Sequence, residues 1–82
     1  MATVPASERE ALKVIRELVK SEGSAKVKAE AVGKEMGFSA EYASILCRSL
    51  WKAGYIRGTT VTGYEITEKG EAFVLELQKA AR

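Results

Sequence analysis

With 82 residues, 46% of them hydrophobic and 29% charged, the chain has the size and balance of one folded domain rather than of a disordered segment. It holds no histidine and a single cysteine. That excludes a histidine-based catalytic triad, a histidine–metal site, a structural zinc site from this chain alone and an internal disulfide. The net charge of +2 is a mild bias that neither demands nor forbids a nucleic-acid partner. No apolar run approaches the ~20 residues of a membrane span, and Met1 to Pro5 lack the basic and apolar regions of a signal peptide. The sequence therefore predicts a cytoplasmic protein, with Cys47 also able to bridge between molecules. No Walker-type loop and no strand–Gly-x-Gly–helix unit is present, and most carboxylates stand among lysines and arginines. No cofactor, metal or small-molecule ligand is indicated, and a binding protein is expected rather than an enzyme.

In chain order, residues 1–6 read as a loose arm ahead of a single domain over 7–82. Ser7 followed by Glu10 is the pattern of a capping box, so a first helix is expected over about 7–21. Ala11, Leu12, Ile15, Leu18 and Val19 form its apolar stripe, with Arg9, Lys13, Arg16, Glu17 and Lys20 opposite and Gly23 at its end. Ser24 to Lys28 alternate and suit one brief strand. A second helix is expected over 29–36, ended by Gly37, and a third over 40–53, capped by Ser39 and ended by Gly54. Tyr55-Ile56-Arg57 and Tyr64-Glu65-Ile66-Thr67 are β-prone runs flanking Gly58 to Gly63, which reads as a hairpin. A last helix follows from about 68 to 80. The expected class is α+β, mostly α.

The stretch Ala29 to Arg48 carries the functional argument. Gly33 lies inside a helix, where glycine costs ~1 kcal/mol relative to alanine, and close approach of another helix is the usual reason. Gly37 permits the reversal that sends the third helix across the second, with Val32, Met36, Phe38, Ala43 and Leu46 expected to be buried between them. The plainer reading has Gly33 breaking a weak helix and Gly37 marking an ordinary turn. Val32, Gly33, Met36, Gly37, Phe38, Ala43 and Leu46 resemble, in order and spacing, the helix-turn-helix signature, with Ala43 smaller than the usual β-branched residue. Leu50…Ala53-Gly54-Tyr55-Ile56 and Tyr64-Glu65-Ile66-Thr67-Glu68-Lys69-Gly70 resemble the approach to, and the return from, the wing of a winged helix. Small regulators of the multiple-antibiotic-resistance and phenolic-acid-decarboxylase-repressor types share this layout, and the likeness runs from about residue 8 to the C-terminus. It implies a winged helix-turn-helix with a three-helix core, a short hairpin wing and a C-terminal helix. It further implies a transcription regulator that binds double-stranded DNA through the third helix.

On that helix Ala43, Leu46, Cys47 and Leu50 are spaced as a buried stripe, so Cys47 reads as a small core residue rather than a redox sensor. Glu41, Tyr42, Ser44, Ile45, Arg48, Ser49 and Lys52 fall on the outward side. The resemblance directs Ser39, Glu41, Ser44, Ile45 and Arg48 to the major groove, with Arg48 suited to guanine, Ile45 to a thymine methyl and the serines to phosphate. Glu41 is discordant there. In the wing, Arg57 is the only basic residue, and Thr59, Thr60 and Thr62 supply hydroxyls. Lys26, Lys28 and Lys34 are candidate phosphate contacts. In the last helix Phe73, Val74, Leu77 and Ala81 form a packing stripe; Ala72 and Leu75 fall away from it and, with Trp51, are candidates for a homodimer interface. The rival reading is a winged helix used for protein–protein contact within a larger complex, favoured by the small net charge, Glu41 and the weakly charged wing.

Overall fold

The protein is described by a computed structural model over residues 5–23 and 26–80. Helices α1 (Ala6–Glu22), α2 (Ala29–Met36) and α3 (Ala40–Lys52) are followed by strands β1 (Ile56–Thr59) and β2 (Gly63–Ile66) and by α4 (Glu68–Ala80). The domain is thus α+β and mostly helical, with one antiparallel hairpin. None of its described helices is long and apolar enough to cross a membrane.

The start of α1 differs from expectation. Pro5 is the N-cap, with φ −58° and ψ 151° and no side-chain cap, and its carbonyl accepts from the amides of Glu8 and Arg9 at 3.1 and 3.0 Å. Ser7 therefore lies inside the helix, and the Ser7–Glu10 capping box does not form. Proline's fixed φ already sets the extended backbone an N-cap needs, which moves the start one residue ahead of Ser7. Glu10 instead meets Lys13 at 3.3 Å. The apolar stripe is as read: Ala11, Leu12 and Ile15 are fully buried, with Leu18 and Val19 packed at its edge.

Gly37 ends α2 in the left-handed region at φ 75°, a conformation that glycine adopts without the clash a Cβ would bring. The amide of Phe38 then donates back to the Gly33 carbonyl at 2.8 Å, tightening the turn into α3. Ser39 caps α3, its hydroxyl accepting from the Tyr42 amide at 3.1 Å. Gly33 is the point of closest approach: a Cβ there would stand 3.0 Å from the Phe38 and Ser39 carbonyl oxygens and 3.1 Å from the Ala43 Cβ. The small residue at Ala43 belongs to the same contact. Phe38, expected in the core, is 42% exposed. It is the Phe38 carbonyl that lies against Gly33, while the ring turns out to Tyr42, edge to face at 4.9 Å and 87°.

The hairpin pairs Ile56 with Ile66, Arg57 with Glu65, Gly58 with Tyr64 and Thr59 with Gly63. Its strands run further into the Gly58–Gly63 segment than the sequence predicts. The reason is that Thr59 closes the turn, accepting from the Thr62 amide at 3.0 Å and meeting its hydroxyl at 2.9 Å. The expected brief strand reduces to one bridge, Val27 to Tyr64, with both backbone bonds at 2.7 Å; Ser24 and Ala25 lie outside the described residues. Thr67 joins three elements, since its hydroxyl accepts from the Gly70 amide at 3.1 Å and donates to the Gly54 carbonyl at 2.7 Å. Beside it Tyr55 stacks on Phe73 with centroids 4.8 Å apart, and Lys69 donates to the Ala53 carbonyl at 2.7 Å. Arg16, read as part of a solvated face, reaches Glu71 at 3.2 Å and ties α1 to α4. Val74 is buried and Phe73 and Leu77 partly so, while Ala81 lies outside the described residues.

Candidate functional site

Helix α3 buries Ala43, Leu46, Cys47 and Leu50, the spacing of one face, and that choice decides what its opposite face presents. Burial also sets the state of Cys47. Loss of solvation pushes its thiol from 9.0 up to about 11, so it stays protonated and inert at neutral pH.

Between the free side of α3 and the hairpin runs an open groove of about 400 Å³. Ser44, Ile45, Arg48 and Trp51 line it from α3, and Gly58, Thr60 and Tyr64 from the hairpin segment. Ser44, Arg48 and Trp51 are spaced i, i+4 and i+7, so one helical face delivers all three. Ile45 is 64% exposed, an uncommon state for isoleucine. Tyr64 forms the floor. Burial raises its phenol above the ordinary value and the nearby Cys47 adds to this, while the Arg48 guanidinium opposes them. Arg48 thus stands close enough to Tyr64 to be felt, with its own side chain exposed.

Four of the residues expected at a DNA surface meet in this groove: Ser44, Ile45, Arg48 and Thr60. Glu41, Tyr42 and Lys52 are exposed elsewhere on α3, and Ser49 is half-buried. Glu41 occupies the first turn, where the helix dipole favours a carboxylate without any external ligand. The Ser39 hydroxyl is engaged in capping and that of Thr59 in the hairpin turn. Arg57 is turned away from the α3 groove. It binds Glu65 at 2.7 Å and borders a second groove, of about 680 Å³, shared with Ala72 and Leu75. Lys26, Lys28 and Lys34 gather at a separate hollow beside α2, together with Glu30. Trp51, grouped with Ala72 and Leu75 as a dimer candidate, is separated from them: it lines the α3 groove, and they line the other. Sequence reasoning missed Trp51 and Tyr64 as groove residues, although the i+3 step from Arg48 to Trp51 carried the signal for the first.

Lys13, Arg16 and Arg57 are held by Glu10, Glu71 and Glu65. Arg48 and Lys52, one turn apart on α3, have no ion pair among the described residues. Nor does any group of three or more carboxylates and thiols able to hold a metal occur among those residues. Comparison with protein-family models, with curated proteins and with solved structures gives no match.

Proposed function

We propose that the chain is a winged helix-turn-helix that binds double-stranded DNA by laying α3 in the major groove, as the DNA-reading part of a transcription regulator. The observation that carries this reading is Arg48, which lines the α3 groove beside Ser44, Ile45 and Thr60 and, like Lys52 one turn on, has no ion pair among the described residues. A helix of ~10–12 Å diameter fits a major groove of ~12 Å. In that pose Arg48 donates its two-pronged guanidinium to the O6 and N7 of guanine, and Ile45 meets an adjacent thymine methyl. Ser44 and Thr60, on the two walls of the groove, donate to phosphate oxygens, and Lys52 adds charge at the backbone. Two copies of the chain would read an inverted repeat.

A second reading has support of its own. Phe38, Tyr42, Ile45, Trp51 and the 80% exposed Val61 all lie on α3, on its approach or in the hairpin turn, an apolar surface suited to a protein partner. Titration of a mixed-sequence duplex at about 50 and 200 mM salt separates the two. DNA binding predicts a steep loss of affinity with salt, and Arg48→Ala is expected to cost ~1–3 kcal/mol, about 5- to 150-fold. No binding at low salt, or binding indifferent to salt and to Arg48, would leave the protein-contact reading in its place.

A further inference from the structure

The α3 groove sets apolar surface on both sides of an arginine. Ile45 stands three residues before Arg48 and Trp51 three after it, and all three line the groove. Both apolar side chains are at least half exposed, although the buried side of the same helix holds Ala43, Leu46, Cys47 and Leu50. An isoleucine left in water adds nothing to the core, and charge contacts to phosphate make no use of it. Three residues advance an α-helix by about 4.5 Å, comparable with the ~3.4 Å between successive bases of one strand. A helix that brings Arg48 to one base pair therefore brings Ile45 to its neighbour. No carboxylate lines this groove among the described residues, so it holds no acidic acceptor for the amine of cytosine. What Ile45 can register in a major groove is a methyl group on the pyrimidine C5, which thymine and 5-methylcytosine carry and cytosine lacks.

We infer that the groove reads a C5-methylated pyrimidine followed by guanine, so that methylation of a CG step turns it into the equivalent of TG. Arg48 takes the O6 and N7 of the guanine, and Ile45 packs on the methyl beside it. Pyrimidine–purine steps unstack most readily, so the step yields to the approaching side chains. Burial of one methyl against an apolar side chain corresponds to about fourfold in affinity. The methyl is read by a different side chain from the guanine, so the two preferences separate by mutation. This inference deepens the duplex-binding reading and rests on it.

The one tryptophan of the chain, Trp51, lies in the groove and reports its occupancy by fluorescence. Two pools of random duplexes of about 20 base pairs, one of them treated with a CG-methylating enzyme, are selected on the protein and sequenced. TG is expected to be enriched in the untreated pool, with CG joining it only in the methylated one. In the leading duplex, deoxyuridine in place of the thymine of the step deletes the methyl and keeps the pairing; it should weaken binding about fourfold. The same step as CG should gain about fourfold on methylation. Ile45→Ala, at an exposed position, should keep binding through Arg48 and lose the difference between methylated and unmethylated duplexes. CG enriched equally in both pools, a deoxyuridine duplex bound as tightly as the thymine one, or an Ile45→Ala chain that still discriminates overturns the inference. Where Arg48-dependent binding persists through those results, the duplex reading stands without it; no duplex bound from either pool at low salt overturns both.

Discussion

Helix α3 and the hairpin border the same groove and each brings an arginine to the region, yet the two arginines are in different situations. Arg57 is clamped to Glu65, its direct cross-strand partner in the register, and faces the α4 side. Arg48 has no ion pair among the described residues and lines the groove. The same contrast holds for hydroxyls, since Thr59 is spent on the hairpin's own turn while Ser44 lines the groove. The hairpin spends Arg57, Glu65, Thr59 and Thr62 on its own contacts and leaves Thr60 to the groove. The outward face of α3 is stabilised from behind, through Ala43, Cys47 and Leu50, and so leaves its polar groups unspent. Counting basic residues along the chain treats the two alike; what matters to a polyanionic partner is which of them are already neutralised.

That difference is broken most forcefully at Gly33, because the support of α3 depends on it. Gly33→Leu would drive a side chain into two backbone carbonyl oxygens that cannot yield, displacing α3 from α2. A loss of about 3 kcal/mol in urea denaturation is expected, with loss of DNA binding. If the variant were as stable as the native chain, the close approach would not be what holds α3 in place.

Alkali attacks the same support from beneath. The Cys47 thiol titrates from 9.0 to about 11 on folding, so above pH 9 the unfolded chain loses this proton before the native one does. The stabilisation is therefore complete below pH 9 and is lost as pH rises through about 11, a total of roughly 2–3 kcal/mol. Tyr64 shifts in the same direction, mainly through burial, so the comparison is made with Cys47→Ala, which keeps that burial contribution and removes only the smaller part that Cys47 adds. Urea midpoints at pH 8 and at about pH 10.5 should fall further for the native chain than for Cys47→Ala. Equal falls would mean that Cys47 ionises without cost.

The smallest expected effect is the sharpest discriminator. Arg57→Ala should change duplex affinity by less than about twofold, because an exposed pair with Glu65 contributes little and the side chain lies on the wrong side of the hairpin. A fluorescence-anisotropy titration beside Arg48→Ala measures the contrast directly. An Arg57→Ala loss as large as that of Arg48→Ala would erase the distinction between the two regions.

Much of the architecture was legible before any coordinate. Helices α2, α3 and α4 lie within a residue of their expected limits, Ser39 caps as read, and the buried stripe of α3 is the one its spacing predicts. These follow from local rules: periodicity, caps and the turn at Gly37. The errors share the opposite cause. Ser7 lost its capping role to a proline two residues earlier, Phe38 set its carbonyl and not its ring against Gly33, and Arg16 found Glu71 across 55 positions of sequence. In the candidate site, the face of α3 was readable from its helical spacing. The arrival of Tyr64 and Thr60 beside that face and the diversion of Arg57 were decided by how the hairpin packs.

Gly33 and Gly70 show the boundary between the two sources of information. Both sit inside helices at a local cost, which tells the reader of the sequence that something comes close. For Gly33 the neighbour was deducible, because the approaching helix follows directly in the chain. For Gly70 it was not: a Cβ there would overlap the Tyr55 carbonyl oxygen and the Ile66 side chain, groups brought up by the hairpin. The sequence by itself determined the helices, their buried stripes and the turn that joins α2 to α3, since each depends on residues a few positions apart. Where Arg16 and Arg57 find their carboxylates, and which hairpin residues face Arg48 and Trp51, depended on partners farther along the chain, and those only the packed tertiary structure decided.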